Sequence, residues 1–133
     1  METITCRAVI EVLGKPQEHV ENSLKSHVDK IKNDDKYEVI SLEVAEIKKQ
    51  EKAEMWANFA EIEFKTKTNG DVIGFCFDYM PSLIEVLEPN KIDLSSTELS
   101  HMLNDMQARF HQVDMVAKSL NMKMKILQKK KMK

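Results

Sequence analysis

The chain has little of what interrupts or staples a fold. Three glycines and three prolines occur in 133 residues, and neither type occurs from Lys91 to Lys133. Nothing intrinsic therefore breaks a helix in that last stretch. Cys6 and Cys76 are too few and too far apart for a disulfide framework or a zinc motif, so a reducing, cytoplasmic setting is expected. The chain contains no run of about 18 apolar residues, which excludes a membrane-spanning helix and leaves no membrane partner expected. Met1-Glu2-Thr3-Ile4-Thr5 lacks the basic and apolar regions of a signal peptide.

Groups that carry chemistry are also sparse, and they do not converge. Gly14, Gly70 and Gly74 form no phosphate-cradling loop. His19, His27, His101 and His111 form no metal-ligand pair such as H-E-x-x-H and read as surface histidines. Cys6 falls on an inward strand position, where a thiol behaves as a small hydrophobe. Cys76 sits in an apolar segment with no cation to activate it. No catalytic set, cofactor site or metal site is expected, so the chain reads as non-enzymatic.

What is present is a long amphipathic stretch from Ser95 to about Gln128. Leu99, Leu103, Met106, Phe110, Val113, Ala117, Leu120, Met124 and Leu127 recur in alternating steps of four and three, the period that keeps one stripe facing a partner. Ser95 and Glu98 have capping-box spacing, and Leu94 and Leu99 have that of a hydrophobic staple. Such a helix is on the order of 50 Å long, against about 17–23 Å for a five- to seven-residue strand. One small sheet cannot cover it.

Upstream, Thr3–Leu13 alternates as a half-buried strand with Ile4, Cys6, Ala8, Ile10 and Val12 on one face. Gly14-Lys15-Pro16 turns into a helix with the stripe Val20, Leu24, Val28 and Ile31, ended by Asn33-Asp34-Asp35. Tyr37–Lys48 reads as a strand with Ile40, Leu42 and Val44 on one face. Lys48–Lys52 reads as a charged loop, and Met55–Thr66 as a third strand with Ala60, Ile62 and Phe64 inward. Thr68-Asn69-Gly70 signals a turn. Asp71–Met80 reads as a short buried helix, with a strand as the alternative. Leu83–Leu87 is a fourth strand. The order βαββαβ predicts an α+β, ferredoxin-like domain over residues 1–90, two helices on one face of an antiparallel sheet, and a long amphipathic helix with a Lys-rich tail over 91–133. The open face is expected to carry Val9, Leu13, Val39, Ile47, Met55, Ala57 and Phe59 among Thr5, Arg7, Glu43, Glu61 and Glu63.

At about residues 72–99, a helix is followed by Ile84-Glu85-Val86-Leu87-Glu88-Pro89 and then a polar helix start. This order resembles the end of the ferredoxin-like C-terminal domain of WYL-type transcriptional regulators, where a strand ending in V-L-x-P leads into a terminal helix. The resemblance implies the fold and a regulatory or ligand-sensing ancestry, and no site.

The net charge of −2 hides a dipole. Lys118–Lys133 holds seven lysines and no acid, leaving 13 of the 20 basic side chains and all 22 acids in residues 1–117. Such a run most often terminates a helix in solvent, where it complements the macrodipole. It also makes Lys123, Lys125, Lys129, Lys130 and Lys131 candidate nucleic-acid contacts. Trp56, Phe59 and Tyr79 stack bases only if exposed, and Glu61 and Glu63 beside them repel phosphates.

Two arrangements satisfy the long seam: a helix lying across its own domain, or pairing with a second copy. The expected interface of the second is Leu103, Met106, Phe110, Val113, Ala117, Leu120, Met124 and Leu127, with Phe59 of the open sheet face. With Leu103 at heptad position a, Arg109 and Asp114 take the g and following e positions of a parallel pair. A parallel pair also brings two basic tails together, so antiparallel or swapped pairing is favoured. The primary expectation is a homo-oligomeric interaction or regulatory module, a dimer first. Nucleic-acid or ribosome association through the Lys-rich end, and small-molecule sensing, are the alternatives.

Overall fold

Two eleven-residue strands form the spine of the sheet. In β1 (Ile4–Gly14) Ile4, Cys6, Ala8 and Ile10 are buried, and in β4 (Trp56–Thr66) Ala60, Ile62 and Phe64 are buried. The two pair antiparallel along their whole length, from Ile4 opposite Thr66 to Gly14 opposite Trp56. β2 (Glu38–Val44) and β5 (Leu83–Glu88) add to the outer edges, giving the order β2-β4-β1-β5, with the two-residue β3 (Lys48–Lys49) also on β4. All pairings are antiparallel. This order and the crossover helices α1 (Gln17–Lys32) and α2 (Asn69–Tyr79) make an α+β, ferredoxin-like arrangement. The computed structural model describes residues 3–52 and 54–132. Met1, Glu2, Ala53 and Lys133, the last a member of the Lys run, lie outside the described residues. The chain divides into two compact units, Met1–Ile92 and Asp93–Lys133.

The first unit is built by parity and periodicity. α1 buries the stripe Val20, Leu24, Val28 and Ile31 that its spacing predicts. Leu24, Val28 and Ile31 share one core with Cys6, Ala8 and Ile10 from β1, Ala60, Ile62 and Phe64 from β4, and Phe75 from α2. The ambiguous apolar run is a helix: Thr68 caps it, its hydroxyl accepting the Asp71 N–H at 3.0 Å, and Phe75 faces Phe64 in a stacked pair with centroids 4.3 Å apart. Tyr37, just ahead of β2, completes an aromatic cluster, edge-on to Phe64 and Phe75. Its hydroxyl donates to the Asp71 carbonyl at 2.7 Å, as a buried phenol requires.

The structure corrects the sequence reading in the Tyr37–Lys52 region. Simple alternation puts Val39 on the open face and Ile40 inward. A register shift between Val39 and Ser41 instead pairs Val39 with Phe64 and Leu42 with Ile62. Val39 and Leu42 pack against the core while Ile40 is 47% exposed. A bulge adds one residue and reverses the faces beyond it, which periodicity alone cannot register. Lys48 and Lys49, read as loop, pair with Ala57 and Trp56. The chain leaves the β4 edge at Ala45, whose N–H still reaches the Phe59 carbonyl at 2.9 Å, and whose carbonyl accepts the buried Asn58 side-chain amide at 2.8 Å. Ile47 faces the groove beside α1 rather than the open face.

Met80 ends α2 at φ 44° and ψ 59°, a left-handed conformation that glycine adopts freely and methionine does not. Met80 is 77% exposed, so its side chain contributes little packing there. Met80→Gly is expected to stabilise the chain by about 1 kcal/mol, raising the melting temperature by roughly 4–8 °C in calorimetry. Burial, and secondarily Cys76, push the Cys6 thiol up to about 11. Burial likewise raises the Tyr37 hydroxyl, with Asp71, Asp34 and Asp78 adding to it. The unfolded chain therefore loses these protons first as pH rises, so stability is expected to fall as pH climbs from about 8.5 toward 11. Urea midpoints measured across that range check it, and the Cys6 thiol should stay unreactive to a thiol reagent until the chain unfolds.

Candidate self-association surface

The second unit is dominated by one unbroken helix, α3 (Ser96–Lys131). Ser95 caps it, its hydroxyl accepting the Glu98 N–H at 3.0 Å, and Lys129, Lys130 and Lys131 occupy the last turn, where cations complement the macrodipole. Its 36 residues span about 54 Å at 1.5 Å each. The eleven-residue central strands, at about 36 Å, are longer than the five- to seven-residue strand used for comparison above, and the helix still exceeds them.

None of the residues of α3 is buried. Along the seam Leu103, Phe110, Val113, Leu120, Met124 and Leu127 are 49–65% exposed, Ala117 is exposed and Met106 is half-buried. A second set escapes the heptad reading. Met115, Met122 and Ile126 are also at least half exposed, and at about 100° per residue they lie on the side away from the seam. The distal half of α3 is therefore apolar on two sides, a pattern found in helices that are enclosed. Counting every Met and Ile in the window, rather than only those in step, finds these residues in the sequence.

Arg109 and Asp114, positioned for a parallel interhelical pair, bond within α3 instead. Arg109 lies 3.6 Å from Asp105, and Asp114 lies 2.9 Å from Lys118. Each is an i,i+4 pair that supports the helix modestly without any partner. Lys123, Lys125, Lys129, Lys130 and Lys131 are exposed on the same helix.

Register fixes the open face of the sheet. Lys65 is opposite Glu38 and Thr5, and Thr5 is opposite Glu88; Glu63 is opposite Ser41 and Arg7, and Arg7 is opposite Glu85; Glu61 is opposite Glu43 and Val9, and Val9 is opposite Leu83. Arg7 donates to Glu61 and lies 3.6 Å from Glu85. The Glu61 contact, with Glu85 and Glu63 behind it, raises the Arg7 guanidinium further. Toward the far end stand Glu11, Phe59, Leu13 and Ala57. Removing Val39 and Ile47 leaves this face acidic with a small apolar end, and Phe59 is half-buried there.

The opposite side of the first unit carries two open grooves along α1. One is floored by Leu24, Val28, Leu42 and Ile47; the other runs past Ser26, Lys30, Asp34 and Tyr79. Beside the second, His27 is not the solvated histidine its polar surroundings in sequence suggest. Its Nε2 lies 2.7 Å from the Tyr79 carbonyl, and its ring meets Tyr79 edge-on. The Tyr79 hydroxyl donates to Asp34 at 2.6 Å. Tyr79 thus ties the end of α2 to the α1–β2 turn and needs no base-stacking role to explain its place. Among the described residues no group of three or more His, Cys, Asp or Glu is placed to hold a metal.

The model of the MJ0538 family matches residues 5–132. No curated protein and no solved structure matches the chain, and none of these comparisons links it to WYL-type regulators.

Burial raises the Asp34 carboxyl, but the hydrogen bonds from Tyr79 and from the Lys36 N–H outweigh it and hold the group below its ordinary range. Stability from these contacts is present at neutral pH and lost as pH falls through the carboxylate range. Tyr79→Phe is expected to cost about 1 kcal/mol at pH 7. It should also flatten the decline in urea midpoint between pH 5 and pH 3 relative to the parent chain.

Proposed function

For this chain, which belongs to the MJ0538 family, we propose a non-enzymatic role as a homo-oligomeric interaction module that self-associates through α3. One observation carries the reading: a 36-residue helix, capped and unbroken, with an apolar seam exposed from Leu99 to Leu127. A single helix gains little from its own propensity, and an exposed apolar stripe of this length is a binding surface that water penalises. The seam covers about four heptads, enough for a specific helix pair.

The sheet plays the lesser part. Glu43, Glu61, Glu63 and Glu85 on the open face oppose direct stacking of two sheets, since like charges would be driven together as water is lost. Phe59, Val9 and Leu83 form too small a patch to hold two copies alone.

A second reading rests on the exposed lysines of the last three turns. It has the chain bind nucleic acid through Lys123, Lys125 and Lys129–Lys131. RNA affinity should then fall steeply with salt and vanish on replacing Lys129, Lys130 and Lys131 by glutamine. Binding indifferent to salt removes this reading.

Light scattering on a sizing column tests the primary one. The parent chain, at tens of micromolar, is expected at about twice the 15.4 kDa of one copy. Leu120→Glu or Phe110→Glu should shift it to the monomer while leaving the melting of the first unit intact. A strict monomer in the parent chain defeats the proposal.

A further inference from the structure

We propose that two copies of α3 pair antiparallel, in the register that places Leu103 against the partner's Leu127. The inference rests on self-association through α3 and adds orientation and register to it. Charge is the first argument. The N-terminal part of α3 holds all of its acids, Glu98, Asp105 and Asp114, while everything basic beyond Arg109 lies from Lys118 onward. Parallel pairing stacks the lysine-rich ends on each other, with Lys123 and Lys130 at flanking positions on both strands. Antiparallel pairing lays each basic end along the other copy's acidic half. Like charges at close range oppose the first arrangement, and opposite charges favour the second.

Arg109 and Asp114 supply the second argument. They are the two groups spaced for a parallel interhelical pair, and both are held within their own helix, on Asp105 and Lys118. Parallel pairing therefore gains little from them. In the antiparallel arrangement Arg109 flanks the partner's Lys123 and the two Asp114 meet near the centre, and the intrahelical partners Asp105 and Lys118 offset these two like-charge contacts.

Side-chain layers supply the register. Antiparallel helices pair an a position with a d position across the seam. With the centre at Met115, Leu103 meets the partner's Leu127, Met106 the partner's Met124, Phe110 the partner's Leu120, and Val113 the partner's Ala117. Every seam residue from Leu103 to Leu127 then has a seam residue opposite. The largest side chain, Phe110, and the smallest, Ala117, fall in different layers, so neither a clash nor a void is concentrated in one place. Gln107 flanks the partner's Asn121, a neutral polar pair.

The test is cross-linking of mixed single-cysteine chains. Full-length Leu103→Cys and Leu127→Cys variants are mixed, left to exchange subunits, oxidised, and digested for mass spectrometry, which separates the new links from Cys6 and Cys76. Within one helix positions 103 and 127 are about 36 Å apart, so a link between them is between chains. The expected product joins 103 to 127 only in the mixture, with no 103–103 link in the Leu103→Cys chain alone. Met106→Cys with Met124→Cys repeats the experiment one layer inward. The dimer, followed by sedimentation, should also weaken severalfold as salt rises from 50 to 500 mM, because attraction is being screened. Self-linking of Leu103→Cys, or a dimer that tightens with salt, overturns the antiparallel arrangement and leaves self-association standing. A dimer in which neither mixed pair links overturns the register. A monomer overturns the reading beneath both.

Discussion

The β1–β4 ladder is the constraint on which the first unit depends. Eleven consecutive pairings, unshifted from Ile4–Thr66 to Gly14–Trp56, fix which side chains of both strands face the helices. A slip of one residue would turn Cys6, Ala8, Ile10, Ala60, Ile62 and Phe64 to the open face and bring Arg7, Glu61 and Glu63 into the core. Burying those charges would cost far more than the slip gains. The ladder therefore has one acceptable register, and the outer strands inherit their faces from it, each across one irregularity in its own pairing.

The open face that this register creates differs in kind from the core face. It is occupied by glutamates around Arg7 and by a small cluster of Val9, Leu13, Ala57, Phe59 and Leu83. Such a surface resists contact with its own image. The second unit has the converse character. α3 satisfies its backbone internally, caps its own start, and bonds Arg109 and Asp114 within itself, yet leaves its apolar side chains exposed. Its polar groups are served within the helix, while Phe110, Val113, Leu120, Met124 and Leu127 stay more than half exposed.

Much of this was legible from residue order. The α1 stripe, the inward residues of β1 and β4, the Ser95 cap and the continuous α3 all follow from local spacing, because each depends on neighbours within one or two turns or pleats. The helical state of Asp71–Met80 was less so. Its apolar residues are ambiguous in period, and the helix is decided by Thr68 at its start and by Phe75 stacking on Phe64. The faces of Val39, Ile40 and Ile47 were not legible, since a bulge leaves no mark in composition. Nor was the engagement of His27, whose partner is a backbone carbonyl 52 residues away. Of the candidate surface, the seam was readable as a period of 3.5, whereas Met115, Met122 and Ile126 fall outside that period and are found only by counting the apolar residues of the whole helix.

The sequence by itself determined the elements and their polarity: alternation fixed the strands, the 3.5-residue period fixed the seam, and the distribution of lysine and glutamate fixed the charge dipole, all through short-range geometry. The tertiary structure alone decided where alternation is broken, which aromatic side chains share a core, and which ion pairs close within one helix. Those outcomes depend on residues far apart in the chain competing for the same space and the same charge, and no local pattern records the result of that competition.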